Sequence, residues 1–498
     1  MSNLVSVLFQ NRPRLQVCMG FLVLAAALIP FADITIYPSD PWQELGRILL
    51  GIVTPSWQGA NQLLWALLYT VAFAIVSVAI SASIGLVLSL MFRFRVVRIF
   101  CASIRAVHEI FWALIFMQVF GLSTITGILA IAIPYTGIFA KVFSEIFEQQ
   151  PGHAREAIDP YHNHLSAWLY SLLCQALPQL QSYTRYRFEC ALRSSAILGF
   201  IGLPTLGFYF ETAFSQGQYS QAAFLLWCFY GLIASLRWWL HKQLIPVFLT
   251  IALFLLPNTE FTNSGYFWQF VTRDIWPKEM LAGEWFAAAN WYWHEITMAV
   301  APAIFYTVAL SIIAMVLAGI LTLAWYPLAT RVIAGRSHVL GHFFLLVVRS
   351  TPEFVLAFVL LLLFGPSALP AILALAIHNA GLIGYLLSRN VETLKLRWDA
   401  PRGFSLYSYE LTPRAFPAFI SLLLYRWEVI MRESAILGLL GITTLGFYVD
   451  SAFEEIRYDS ALLLVVVTAI LNIGVDFFSR YLRKHCELVD SPSCFQIS

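Results

Sequence analysis

Two stretches of this chain are near copies of one another, which confines it to folds built from two similar units. Residues 193–214 read RSSAILGFIGLPTLGFYFETAF and residues 432–453 read RESAILGLLGITTLGFYVDSAF, in register at an offset of 239. Upstream, Arg105-Ala-Val-His-Glu109 is answered by Arg349-Ser-Thr-Pro-Glu353 at an offset of 244, and Tyr69-Thr-Val-Ala72 by Tyr306-Thr-Val-Ala309 at 237. Each copy is roughly half the chain, far longer than a solenoid unit.

Composition decides the solvent. Hydrophobic residues make up 59% of the chain and charged residues 12%, with a mean hydropathy of +0.74. Soluble domains average about 45–50% apolar and about 25% charged. The bilayer is therefore the expected surroundings, and a duplicated apolar chain points to a pseudo-symmetric pore whose halves face across an axis along the membrane normal. A formal charge of +2 gives no case for nucleic acid. The cysteines at 18, 101, 174, 190, 228, 486 and 494 form no CxxC pair, so they read as small apolar packers rather than disulfides or a zinc site.

A spanning helix needs about 20 mostly apolar residues. Candidates lie at 17–36, 62–91, 107–125, 126–143, 176–200 and 222–240, then at 244–257, 297–326, 340–364, 369–388, 415–440 and 460–480. This predicts six spans per half, with halves at 1–242 and 243–498. The first segment follows Arg12 and Arg14 but no clear cleavage motif follows it, so it reads as a retained helix. Short-loop charge sets orientation. Arg93, Arg95, Arg98 and Arg105, their counterparts Arg331, Arg336 and Arg349, the joining Arg237 and Lys242, and the closing Arg480, Arg483 and Lys484 all fall on one face, predicted cytoplasmic with both termini. The opposite loops near 37–61 and 257–296 carry Trp57, Trp268, Trp276, Trp285, Trp291 and Trp293, suited to an aromatic belt.

Each half has a long connection on the cytoplasmic face. One runs from about Phe147 to Leu177 and contains Arg155, Glu156, Ala157 and His162; the other runs from about Arg389 to Phe416 and contains Asp399, Ala400 and Gly403. Loops of this length within a compact fold carry structure of their own, and a short helix flat on the surface is expected. Glu156-Ala157, followed by an apolar stretch and Leu177-Pro178, resembles the coupling-loop motif of ABC-importer permeases. His162 stands where that motif has glycine, and Gly403 restores it in the second copy. The blocks from Arg105 to Phe116, from Gly127 to Ile133, and Tyr186-Arg-Phe-Glu189 with its twin Tyr425-Arg-Trp-Glu428 resemble phosphonate-type permeases over most of both halves. That family usually has Pro before the Glu; Pro352 keeps it and His108 does not. The chain thus looks like two phosphonate/phosphite-type permeases fused. The resemblance implies a type I ABC importer permease fold, two copies of a cytoplasmic ABC ATPase docked on the coupling loops, an external solute-binding protein, a phosphorus oxyanion as cargo, and the bacterial inner membrane as location.

Physics alone singles out an overlapping set. Pro178 and Pro417 are expected to begin helices, where a missing N–H costs little. Arg187 and Arg193, nine and fifteen residues past Pro178, then lie about 14 and 22 Å into a core about 30 Å thick, and Arg426 and Arg432 repeat this. Arg at such depth costs about 2.5–3.5 kcal/mol on insertion scales unless it faces protein or water. Glu109, Glu189, Glu353 and Glu428 are available partners. Two readings stand. Arg–Glu pairs clamp the helices, or they leave a polar route for an oxyanion, which Arg matches well. Ser194, Ser195 and Ser434 could solvate such an anion or bond a neighbouring helix. The copies also differ, with Ser194 opposite Glu433 and Glu145 opposite Arg389. Gly202 and Gly207, and Gly441 and Gly446, interrupt helical periodicity and read as turns at the outer mouth, a gate or a plain helix end.

No GxxxxGK[ST], HExxH or nucleophile elbow occurs, so neither ATP hydrolysis nor any other enzyme chemistry is expected of the chain, nor a cofactor or metal. His153, His162 and His164 have poor carboxylate and cysteine company and read as solvated loop residues. The remaining alternative is a secondary active transporter with Glu109 and Glu353 coupling an ion.

Overall fold

The computed structural model describes residues 13–37, 41–57, 60–150, 168–241, 243–256, 264–401, 403–486 and 488. Among them there is no strand. The main helices in chain order are α1 (Pro13–Leu28), α2 (Pro41–Val53), α3 (Ala60–Leu90), α4 (Arg95–Ala106), α5 (Glu109–Phe120), α6 (Thr124–Glu148), α7 (Cys174–Ile197), α8 (Leu206–Ser215), α9 (Tyr219–Trp239) and α10 (Ile245–Leu255). They continue with α11 (Trp285–Glu295), α12 (Ala301–Ala329), α13 (His338–Ser350), α14 (Glu353–Phe364), α15 (Ala368–Glu392), α16 (Thr412–Leu437), α17 (Leu445–Glu454) and α18 (Tyr458–His485). The protein is an all-α polytopic membrane protein.

Against the twelve expected spans, the described residues hold 8 helices long and apolar enough to cross a bilayer, or up to 11 if each bent pair is one span. Two differences have clear causes. The segment 340–364 is not one helix, because Pro352 ends it: the residue before a proline is pushed out of the helical region, and Thr351 is extended at ψ 121°. The segment 244–257 forms only the 11-residue α10, about 16 Å long, too short to cross alone.

Two prolines also behave differently from expectation. Pro178 and Pro417 lie inside α7 and α16 rather than at their starts. In each case a π-helical turn, Trp168–Leu173 or Leu406–Leu411, already runs into the helix. Such wide turns relieve a helix at a site of local strain. In the second long connection, residues 393–401 form turns and helix resumes at Phe404, running on into α16. A separate surface helix is not found among its described residues.

Packing gathers the chain into two compact units, Arg47–Arg273 and Met1–Gly46 with Asp274–Ile497. In the first, α3 and α6 lie side by side around Phe73, Phe139 and Phe143. Gly85 admits Phe139 and Gly127 admits Phe73, and the Ser77 hydroxyl donates to the Ile128 carbonyl at 3.2 Å. Lipid offers no hydrophobic drive between helices, so close approach through small residues and interhelical hydrogen bonds holds them. α10 completes this unit through Phe248, Leu249 and Ala252. In the second unit α12 and α15 play the same part, with Ala314, Ala371 and Leu375 fully buried. There α1 completes the core, with Ala25 buried in it and Phe21 edge-on to Trp427 at 5.3 Å.

Candidate functional site

The duplicated Arg-x-x-x-Glu blocks are helix joints. In the first copy α4 ends at Ala106, Val107 and His108 are extended, and α5 begins at Glu109, with 89° between the helices. Arg105 sits in the last turn of α4 and Glu109 in the first turn of α5. Each charge therefore sits at the helix end whose dipole favours it. The second copy repeats this with Arg349 ending α13 and Glu353 opening α14. Pro352 breaks the helix there. In the first copy the His108 ring does the capping, its Nδ1 accepting from the Ile110 N–H at 3.2 Å.

α7 and α6 bring a polar cluster to Glu109. The Ser194 hydroxyl donates to Glu109 Oε1 at 2.6 Å, and the Tyr135 and Ser194 hydroxyls are 3.1 Å apart. His108 Nε2 lies 3.7 Å from Glu109 Oε2. Arg187 stacks its guanidinium on the Tyr135 ring, 4.1 Å from the centroid. Arg187 lies thirteen residues into α7, about 20 Å along the helix. Its Nε is shielded from solvent and has no acceptor. Among the described residues no carboxylate is in salt-bridge contact with it, so the expected pairing with Glu189 or Glu109 is not formed. An unmet buried N–H costs about 1–3 kcal/mol. Glu189 and Arg193 are half-buried on the same helix, Arg193 Nη2 lying 3.4 Å from Cys190 Sγ. Ser195 is buried and donates to the Leu192 carbonyl of its own helix.

The second cluster has the same frame and different chemistry. Asn379 stands where the first copy has Tyr135, Glu433 where it has Ser194, and His378 where it has Pro134. Arg426 donates through Nε to Asn379 Oδ1 at 2.7 Å and through Nη2 to Glu433 Oε1 at 3.4 Å. The Asn379 amide closes the ring by donating to Glu433 Oε2 at 3.3 Å. Here an Arg–Glu pair does form, but with Glu433 of the same helix rather than Glu428, and it is Asn379 that ties Arg426 to α15. His378 places Nδ1 2.9 Å from the Thr351 carbonyl and Nε2 3.6 Å from Glu353 Oε2. Arg432 and Glu428 are half-buried, and Ser434 is buried, donating to the Met431 carbonyl.

Glu353, His378 and Glu433 each offer one ligand atom within 4.8 Å of the others. Such a His-and-carboxylate set has the donors for a divalent metal. Both Glu433 oxygens already accept from Arg426 and Asn379, so a cation would have to compete with a guanidinium, and the arrangement reads as an ion-pair network.

The glycine pairs mark two kinks. α7 and α8 bend by 52° and α16 and α17 by 45°. Gly202 and Gly441 sit at φ 96° and 80°, where a side chain is strained. A Cβ on Gly207 would overlap the Ala196 carbonyl oxygen, and one on Gly446 the Ala435 carbonyl oxygen. The third echo explains itself here. Thr70 accepts the N–H of Leu206 at 2.9 Å and Thr307 that of Leu445 at 2.9 Å, so each Tyr-Thr-Val-Ala block caps the new helix from across the core. These threonines escaped the sequence reading, although their exact repetition was the available signal.

Of the coupling residues, Arg155, Glu156, Ala157 and His162 lie outside the described residues. Asp399 is exposed and paired with Arg397 Nε at 3.1 Å, Ala400 is half-buried, and Gly403 takes φ 64°. Trp398 beside them is 98% exposed.

No family model matches the chain, and no solved structure does. Among curated proteins it is 24% identical over 430 residues to a phosphate-import permease protein, PhnE, of Mycolicibacterium smegmatis, covering 78% of this chain and 77% of that one. It is 29% identical over 188 residues to the phosphite transport system permease protein PtxC of Stutzerimonas stutzeri, covering 36% of this chain and 68% of that one. The chain is thus similar to transport permease proteins named for phosphate and phosphite.

Proposed function

We propose that this chain forms the transmembrane path of a binding-protein-dependent ABC importer for a small phosphorus oxyanion in the bacterial inner membrane. The similarity to a phosphate-import permease across 430 residues carries this reading. The duplicated halves, 1–242 and 243–498, are tandem parallel repeats of the type I importer permease fold, with both termini in the cytoplasm. Arg155, Glu156, Ala157 and His162 on one side, and Asp399, Ala400 and Gly403 on the other, receive two ATPase subunits. Closure of those subunits draws the connections together and opens the path to a binding protein outside. Arg187, Arg193, Ser194 and Ser195 in one half, and Arg426, Arg432, Glu433 and Ser434 in the other, are the substrate-path residues. The kinks at Gly202, Gly207, Gly441 and Gly446 shape the outer mouth of the path. The chain supplies no hydrolytic chemistry.

The buried Glu353–His378 pair favours a second reading, in which an ion gradient drives transport. Uptake of inorganic phosphate, phosphite and methylphosphonate into vesicles separates the two. The importer reading expects accumulation that stops on ATP depletion and survives collapse of the ion gradient. Accumulation that survives ATP depletion and fails with the gradient would contradict it.

A further inference from the structure

We infer that the two copies deal unequally with a passing anion: Arg187 contacts the oxyanion, while Arg426 holds helices together. This rests on the importer reading above and adds to it which guanidinium does the recognition.

The two arginines occupy equivalent places at an offset of 239, and their surroundings differ in kind. Arg426 is already engaged, donating through Nε to Asn379 and through Nη2 to Glu433. A guanidinium already bonded to a carboxylate has little attraction left for a second anion. Glu353 adds another buried carboxylate near that network, its oxygen within 4.8 Å of a Glu433 oxygen. A second buried carboxylate therefore lies beside the one paired with Arg426, which disfavours an oxyanion at that guanidinium.

Arg187 has the opposite environment. Ser194 replaces the carboxylate, and its hydroxyl is turned to Glu109. The Tyr135 ring covers one face of the guanidinium. Stacking engages the face and leaves the N–H edge, which is the part that grips two phosphoryl oxygens in parallel. On that edge Nε has no acceptor. It is shielded in the conformation seen, so the contact belongs to a state in which the path opens. A donor held without a partner in the apolar interior is accounted for when a transient ligand supplies the acceptor. The Ser194-to-Glu433 difference, visible in the repeat itself, is what makes one arginine available and the other committed.

The test uses the full chain with its ATPase and binding protein in proteoliposomes. Oxyanion imported per ATP hydrolysed is measured with inorganic phosphate, phosphite and methylphosphonate. If the unaltered complex imports none of the three, the importer reading fails and this inference falls with it. In a complex that does import, Arg187→Met is expected to lower the ratio roughly ten- to a hundredfold, hydrolysis continuing. Arg426→Met is expected to lower assembled complex, hydrolysis and import together, with the ratio kept. An Arg187→Met complex with the unaltered ratio overturns the inference, as does an Arg426→Met complex whose ratio falls equally. Should Arg187→Met not assemble, Arg187→Lys decides by the same ratio. Its point charge lacks the planar fork, so a lowered ratio supports the assignment and an unaltered one overturns it.

Discussion

At the scale of single residues, the clamp around Arg426 makes a sharp stability prediction. Removing one partner of a buried ion pair leaves an uncompensated charge and costs about 3–5 kcal/mol, whereas replacing both by apolar residues is often neutral. Arg426→Leu alone is therefore expected to lower the unfolding temperature of the detergent-solubilised protein markedly, and Arg426→Leu with Glu433→Leu to recover most of the loss. Equal loss in single and double variants would show that an uncompensated Glu433 charge is not the source of the loss. The charged members of both clusters were legible in the sequence because a charge inside an apolar stretch demands a reason. Tyr135, Asn379 and His378 were not, since a single polar residue in an apolar helix looks like packing until its neighbour is known. The pairing itself was misjudged for the same cause. Glu428 is close to Arg426 in sequence, but Glu433 lies seven residues on, about two helical turns, and shares its side of the helix.

At the scale of elements, the joints differ in how strictly they depend on their residues. Pro352 and His108 break equivalent helices by different means, so the break does not need proline. Pro352→Ala is expected to fold with a loss of no more than about 1 kcal/mol. Gly207 has no such substitute. Gly207→Ala would drive a methyl into the Ala196 carbonyl and is expected to prevent the kink, seen as loss of folded protein by size-exclusion chromatography. Comparable yields for the two variants would contradict this ranking. The sequence announced both joints, one by its charges and one by its glycines. It did not announce that α7 and α16 start upstream of Pro178 and Pro417, because rules for proline at helix starts say nothing of a π-helical turn before it. Nor did apolar length reveal that 340–364 breaks, although Pro352 was in plain view.

For the whole molecule, a two-fold chain was readable from the echoes, and an all-helical membrane protein from composition. The way packing groups it was not. α1 packs with the core of α12, and α10 with the core of α3, and no local pattern in an apolar helix names its distant neighbour. The functional account turns on the two halves running parallel, so that both long connections meet a motor on one side of the membrane. Cysteine placed singly at Glu148 and at Trp398, exposed positions within these connections, in a chain freed of its own cysteines, reads this directly. An impermeant thiol reagent applied to right-side-out and inside-out vesicles is expected to label both positions only in the inside-out ones. Labelling of the two positions from opposite sides would contradict the account.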